Sequence, residues 1–107
     1  PTSMLAAISN FENININNRA LILGDMFELG EYSDQEHQKI VDFVTNKDYS
    51  KVYLVGDNFS KCNTDGKYFF KFSNTNELAQ SDSFKSIKNM NILVKGSRGV
   101  SLEKLFK

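Results

Sequence analysis

Three short apolar runs in this chain stop on a glycine: Arg19-Ala20-Leu21-Ile22-Leu23 before Gly24, Lys51-Val52-Tyr53-Leu54-Val55 before Gly56, and Ile92-Leu93-Val94 just ahead of Lys95-Gly96. Each is too short for a free helix and apolar nearly throughout, as strands covered on both faces read. Between them lie stretches with helical spacing. Met4, Leu5, Ile8 and Phe11 share one face, as do Ile40, Val41 and Val44; Leu78, Ala79, Phe84 and Ile87 follow, interrupted around Ser81-Asp82-Ser83. Strands alternating with helices predict an α/β domain with a mostly parallel sheet flanked by helices. The stretch Lys67 to Phe72, aromatic with lysines at intervals, adds a strand near the sheet edge, where lysine also discourages strand addition.

A length of 107 residues with 40% hydrophobic content suits one domain with one compact core. The 13 basic and 13 acidic side chains cancel and form no basic stripe, so composition gives no case for a nucleic-acid or anionic-membrane partner. For the same reason the phenylalanines of the edge run read as packing, not as a base-stacking platform. Cys62 stands alone, without a Cys or His partner at metal-ligand spacing, and reads as a small buried or half-buried filler. No run approaches the length of a membrane span and no basic-then-apolar leader opens the chain, so a reducing, cytoplasmic setting is expected. Pro1-Thr2-Ser3-Met4 reads as the start of a helix, capped by Thr2 or Ser3, and suggests a fragment of a longer protein.

Two loops carry the chemistry. Lys95-Gly96-Ser97-Arg98-Gly99 follows a strand and precedes a helix-like pattern at Leu102, Leu105 and Phe106, the place where open α/β sheets put ligand groups. Lys95 and Arg98 bring fixed positive charge, Ser97 a hydroxyl, and Gly96 and Gly99 close backbone approach or positive φ; Arg98 suits a bidentate carboxylate. Anion recognition and a merely solvated turn both remain open on these residues alone. The second loop, Gly24 to Glu31, carries Asp25, Glu28 and Glu31. Three carboxylates with two glycines make it a second candidate site loop. Ser33-Asp34-Gln35-Glu36 matches a capping box. His37, one turn before Ile40, reads as a structural histidine at a helix start more than as a catalytic base, since no nucleophile motif accompanies it. Neither loop is a G-x-G-x-x-G or Gly-Lys-Ser/Thr signature, so any nucleotide is expected to be gripped chiefly by another domain.

Pro1-Thr2-Ser3-Met4, Leu23 to Glu31 with His37 downstream, Val55-Gly56-Asp57-Asn58-Phe59, and Leu93 to Gly99 together resemble the C-terminal domain of the Mur ligases that add D-alanyl-D-alanine, the MurF family, in order and spacing across essentially the whole chain. The resemblance implies a Rossmann-like three-layer domain, spanning residues 1–107, of a three-domain bacterial enzyme of peptidoglycan synthesis in the cytoplasm. In that family ATP phosphorylates the terminal carboxylate of UDP-N-acetylmuramoyl-tripeptide, and the amine of D-alanyl-D-alanine attacks the acyl phosphate. ATP and Mg would be bound mainly by the central ATPase domain of the same chain, whose P-loop and metal ligands are absent here. The fragment alone is then expected to be inactive, with no catalytic residue or metal ligand of its own. Lys95, Gly96, Ser97 and Arg98 would bind substrate, while Asp25, Glu28, Glu31 and His37 would face the nucleotide or the interdomain cleft. The family's Asp-x-Tyr-Asn-Ala-Asn run is also absent, so the sheet is expected to expose an edge. The competing expectation is a non-catalytic α/β binding or receiver-like module; Asp25 and Asp57 lie near strand ends, although no acidic pair precedes them.

Overall fold

The structure, a computed structural model, describes residues 2–65 and 68–106. Its sheet has four strands, β1 (Arg19–Gly24), β2 (Lys51–Val55), β3 (Phe69–Phe72) and β4 (Asn91–Lys95), in the order β3-β2-β1-β4 with every pairing parallel. Helices α1 (Thr2–Glu12), α2 (Ser33–Val44), α3 (Asp57–Ser60), α4 (Thr75–Gln80) and α5 (Asp82–Lys85) are joined by 3-10 turns at Gly30–Tyr32, Arg98–Val100 and Leu102–Phe106.

The central strands are apolar throughout because both faces are covered. Leu21, Leu23, Val52 and Leu54 point to one side and pack with Met4, Ile8 and Phe11 of α1, with Ile40, Val41 and Val44 of α2, and with Phe59. Ile22, Tyr53 and Val55 alternate to the other side and meet Leu78 of α4 and Leu102. The result is the expected Rossmann-like three-layer domain, in which each wholly buried aliphatic side chain contributes about 1.5–3 kcal/mol. Its strand order also separates it from a receiver, whose 2-1-3-4-5 order would put β3 beside β1.

Several local expectations hold and several do not. The break between α4 and α5 falls at Ser81, whose extended backbone (φ −72°, ψ 144°) lets its hydroxyl accept from the Phe84 amide, while Asn74 caps α4 by accepting from Glu77. β3 lies at one edge, as its lysines suggested, although Lys67 is outside the described residues. β4, read as a buried strand, forms the other edge and is half-buried along Ile92 to Lys95, since among the described residues it pairs with β1 alone. The capping box at Ser33 does not form: the Gly30–Tyr32 turn runs straight into α2, so Ser33 is itself helical (φ −57°, ψ −50°) and Glu36 instead pairs with Lys39. Similarly, α1 already includes Thr2, so Ser3 is a first-turn residue and not the cap; Pro1 lies outside the described residues. The pattern at Leu102, Leu105 and Phe106 winds as a 3-10 turn that buries Leu102 and leaves Phe106 60% exposed.

Candidate functional site between two loops

With β1 in the interior of the sheet, the chain leaves β1 towards β2 on one side while β4 lies on the other. That reversal of direction is where doubly wound sheets open a crevice at the carboxyl ends of their strands. Both loops singled out from the sequence converge there. Leu23 pairs in register with Lys95, the Ser97 N–H donates to the Asp25 carbonyl at 3.0 Å, and the Phe27 N–H donates to Ser97 Oγ at 2.9 Å. Gly96 is required by this approach, because a Cβ there would stand 2.8 Å from the Gly24 Cα.

The Lys95–Arg98 loop has a cleft on each side. One, of about 240 Å³, is lined by Ser3 and Met4 of α1, by Met26, Phe27 and Leu29, and by Lys95 to Ser97. The other, of about 380 Å³, lies between the same loop and Leu102, Glu103 and Phe106. Lys95 is half-buried and Arg98 exposed, and the ion pairs found among the described residues involve neither. Ser97 Oγ, occupied as an acceptor by Phe27, keeps its own proton to donate. The arrangement offers two cations and a hydroxyl donor to an anion. The expected α-helix N-terminus beside the loop is replaced by the short Arg98–Val100 turn, so side-chain charge supplies most of the positive potential.

Below this surface the loop after β1 is fixed from inside. Asp25 is 4% exposed; its two carboxylate oxygens accept from the Asn58 and Phe59 amides, both at 2.9 Å, and so cap α3 from a neighbouring strand. Gly56 makes room for it: φ there is +121°, and a Cβ would fall 2.3 Å from Asp25 Cγ. His37 is wholly buried. Its Nε2 accepts from the Met26 N–H at 3.0 Å and its Nδ1 lies 2.7 Å from the Ser33 carbonyl, which assigns the proton to Nδ1 and leaves the ring neutral. Nε2 is also 3.9 Å from Asp25 Oδ1, but a charged pair would require surrendering the Met26 bond. The ring edge rests on Phe59, centroids 4.7 Å apart.

Of the residues flagged in the sequence, Lys95, Gly96, Ser97 and Arg98 therefore border the clefts, Glu28 and Glu31 are exposed on the rim of the second loop, and Asp25 and His37 point inward. Glu28 adopts φ +65°, a left-handed conformation costing on the order of 1 kcal/mol in a non-glycine residue, and turns the loop sharply ahead of Gly30. Sequence reasoning did not single out Met26, Phe27 or Ser3 as cleft residues. The helical face of Met4 was visible, but its place beside Lys95 follows only from α1 packing at the β4 edge. Among the described residues no group of three His, Cys, Asp or Glu side chains is placed to hold a metal ion.

Fold and site together define a Rossmann-like domain that presents cationic groups at the switch point of a parallel sheet. No family model matches the chain. Curated relatives do: the UDP-N-acetylmuramoyl-tripeptide–D-alanyl-D-alanine ligase of Rickettsia prowazekii is 37% identical over 98% of the chain, and that of Buchnera aphidicola 34% identical over 97%. Among solved structures, MurF from Acinetobacter baumannii superposes with a TM-score of 0.80 at 27% identity over 98% of the chain, and MurF from Thermotoga maritima, in complex with ADP, shares the fold with a TM-score of 0.68 at 20% identity over 94%. The chain belongs to the MurF family of Mur ligases, to whose C-terminal domain it corresponds. It spans 24% of the Rickettsia relative and 24% of the Acinetobacter chain.

Proposed function

We propose that this chain is the substrate-closing domain of a three-domain, ATP-dependent amide ligase that joins D-alanyl-D-alanine to UDP-N-acetylmuramoyl-tripeptide in the bacterial cytoplasm, for peptidoglycan synthesis. The observation that carries the reading is the loop at the sheet's switch point, where Lys95 and Arg98 stand outside the ion pairs found among the described residues, in a chain matched nearly end to end by relatives of that name. In the reaction, the γ-phosphoryl group of ATP passes to the tripeptide carboxylate, giving an acyl phosphate and ADP; the D-alanyl-D-alanine amine then forms the amide and phosphate leaves.

In this reading the central domain of the same chain holds ATP and Mg, as the ADP complex of the Thermotoga maritima relative suggests. Asp25 is a poor magnesium ligand, because both its oxygens already accept backbone N–H bonds. What the present domain contributes is orientation. Arg98 grips a peptide carboxylate bidentately, Lys95 adds a point charge, and the Ser97 hydroxyl donates to a neighbouring oxygen. Closing over the central domain holds the amine near the acyl phosphate and excludes water that would hydrolyse it. Exposed Phe27 and the carboxylates of Glu28 and Glu31 lie on the rim that meets that domain.

The test is phosphate release by the full-length chain given ATP, magnesium and both peptide substrates. Release that needs both peptides, with none from residues 1–107 alone, supports the reading. A folded full-length chain that releases no phosphate refutes it.

A further inference from the structure

We propose that His37 is a positioning residue for the cleft, acting through the Met26 amide without touching substrate. This inference rests on the ligase reading for its kinetic consequence, though not for its structural one. Three consecutive residues after β1 are tied down in sequence: the Asp25 carbonyl accepts from Ser97 N–H, the Met26 N–H donates to His37 Nε2, and the Phe27 N–H donates to Ser97 Oγ. His37 thus sits between the two bonds by which Ser97 joins the loops. It is anchored in turn at Nδ1 by the Ser33 carbonyl one helical turn away, and it is wholly buried, so the ring has one orientation available.

Packing alone does not require this chemistry. An apolar ring would rest against Phe59 equally well, but it would leave the Met26 N–H buried without an acceptor. That amide would then have to turn towards water, drawing Phe27 off Ser97 and displacing the segment that carries Lys95 and Arg98. The unprotonated Nε2 is therefore the feature that sets the spacing of the two loops.

The experiment compares His37→Gln and His37→Asn in the full-length chain. Gln places an acceptor where Nε2 stands; Asn keeps a donor towards Ser33 and leaves Met26 unpaired. With melting temperatures of the two variants matched, His37→Asn should raise KM for a peptide substrate about tenfold and His37→Gln by less than about twofold, kcat changing little in either. Hydrogen exchange across residues 25–31 should quicken in the Asn variant only. Equal KM in both variants, or KM that tracks melting temperature, overturns the proposal. Should His37→Asn fail to fold, His37→Gln decides: wild-type KM and exchange uphold the acceptor requirement, and a raised KM with quickened exchange defeats it. A wild-type chain without ligase activity would refute the ligase reading, and the exchange comparison would still decide the role of His37.

Discussion

The two loops at the carboxyl end of the sheet lie side by side and are built in opposite ways. After β1, the charged and titratable side chains next to the strand turn inward: Asp25 caps α3, and the His37 ring, reaching across from α2, holds the Met26 amide. After β4, the charges turn outward, and Lys95 and Arg98 take no part in the ion pairs found among the described residues. Ser97 joins the two, accepting from Phe27 and donating its amide to Asp25. The difference teaches that residues of equally functional appearance divide by where their hydrogen bonds are spent. A carboxylate with both oxygens occupied by the backbone is scaffold, whereas a guanidinium beside a cleft is available to a ligand.

The largest effect that would break this division is at Gly56. Ala there meets both a positive φ of 121° and the Asp25 carboxylate, so Gly56→Ala should cost about 3 kcal/mol or more in urea unfolding. Unaltered stability would show that the inner network yields easily and is no scaffold. Asp25→Ala comes next. It leaves the Asn58 and Phe59 amides without their acceptor and should cost about 2 kcal/mol, with Asp25→Asn losing less because one oxygen remains.

A smaller effect serves as a control at the opposite end of the sheet. Burial, and then the hydrogen bond to Glu12, push the hydroxyl of Tyr49, just ahead of β2, well above its ordinary 10.0; burial likewise raises the thiol of Cys62, which follows α3 at the carboxyl end, above its ordinary 9.0. The folded state therefore holds these protons more tightly than the unfolded chain. Their stabilisation is complete below about pH 9 and is lost as pH rises past the ordinary values of the two groups. Thermal melts between pH 8 and pH 11 should fall accordingly, and Tyr49→Phe, at a cost of about 1 kcal/mol near neutrality, should flatten that fall without altering the loops. An unchanged alkaline slope in the variant would remove Tyr49 from the account.

Much of the architecture was legible because both faces of the sheet are covered. Apolar runs ending at Gly24 and Gly56 located β1 and β2, the spacing of Met4, Ile8 and Phe11 located the buried face of α1, and the polar Ser81-Asp82-Ser83 announced the break between α4 and α5. The edge position of β4 was not legible, since Ile92-Leu93-Val94 reads alike with one neighbour or two. Nor was the capping of α2, where a local 3-10 turn pre-empted the Ser33 motif. At the site, the cationic loop was visible as residue types in a run. The inward role of Asp25 was hidden because the amide groups it caps lie 33 and 34 positions away, and the tie between Phe27 and Ser97 spans 70. Contacts of that separation are set by strand order, which local periodicity does not encode.

The smallest expected loss of stability belongs to Arg98, and it is the one that bears most on function. Arg98→Ala in the full-length chain should change unfolding free energy by less than about 0.5 kcal/mol, as for an exposed side chain outside the ion pairs found among the described residues. In the same variant the account predicts KM for a peptide substrate raised about tenfold or more, or kcat lowered through misplacement of the amine. Stability and kinetics measured together on that variant test the central claim, that the loop after β4 orients an anionic substrate. A stable variant with impaired kinetics is the predicted result; wild-type kinetics, or impairment explained by unfolding, would contradict it.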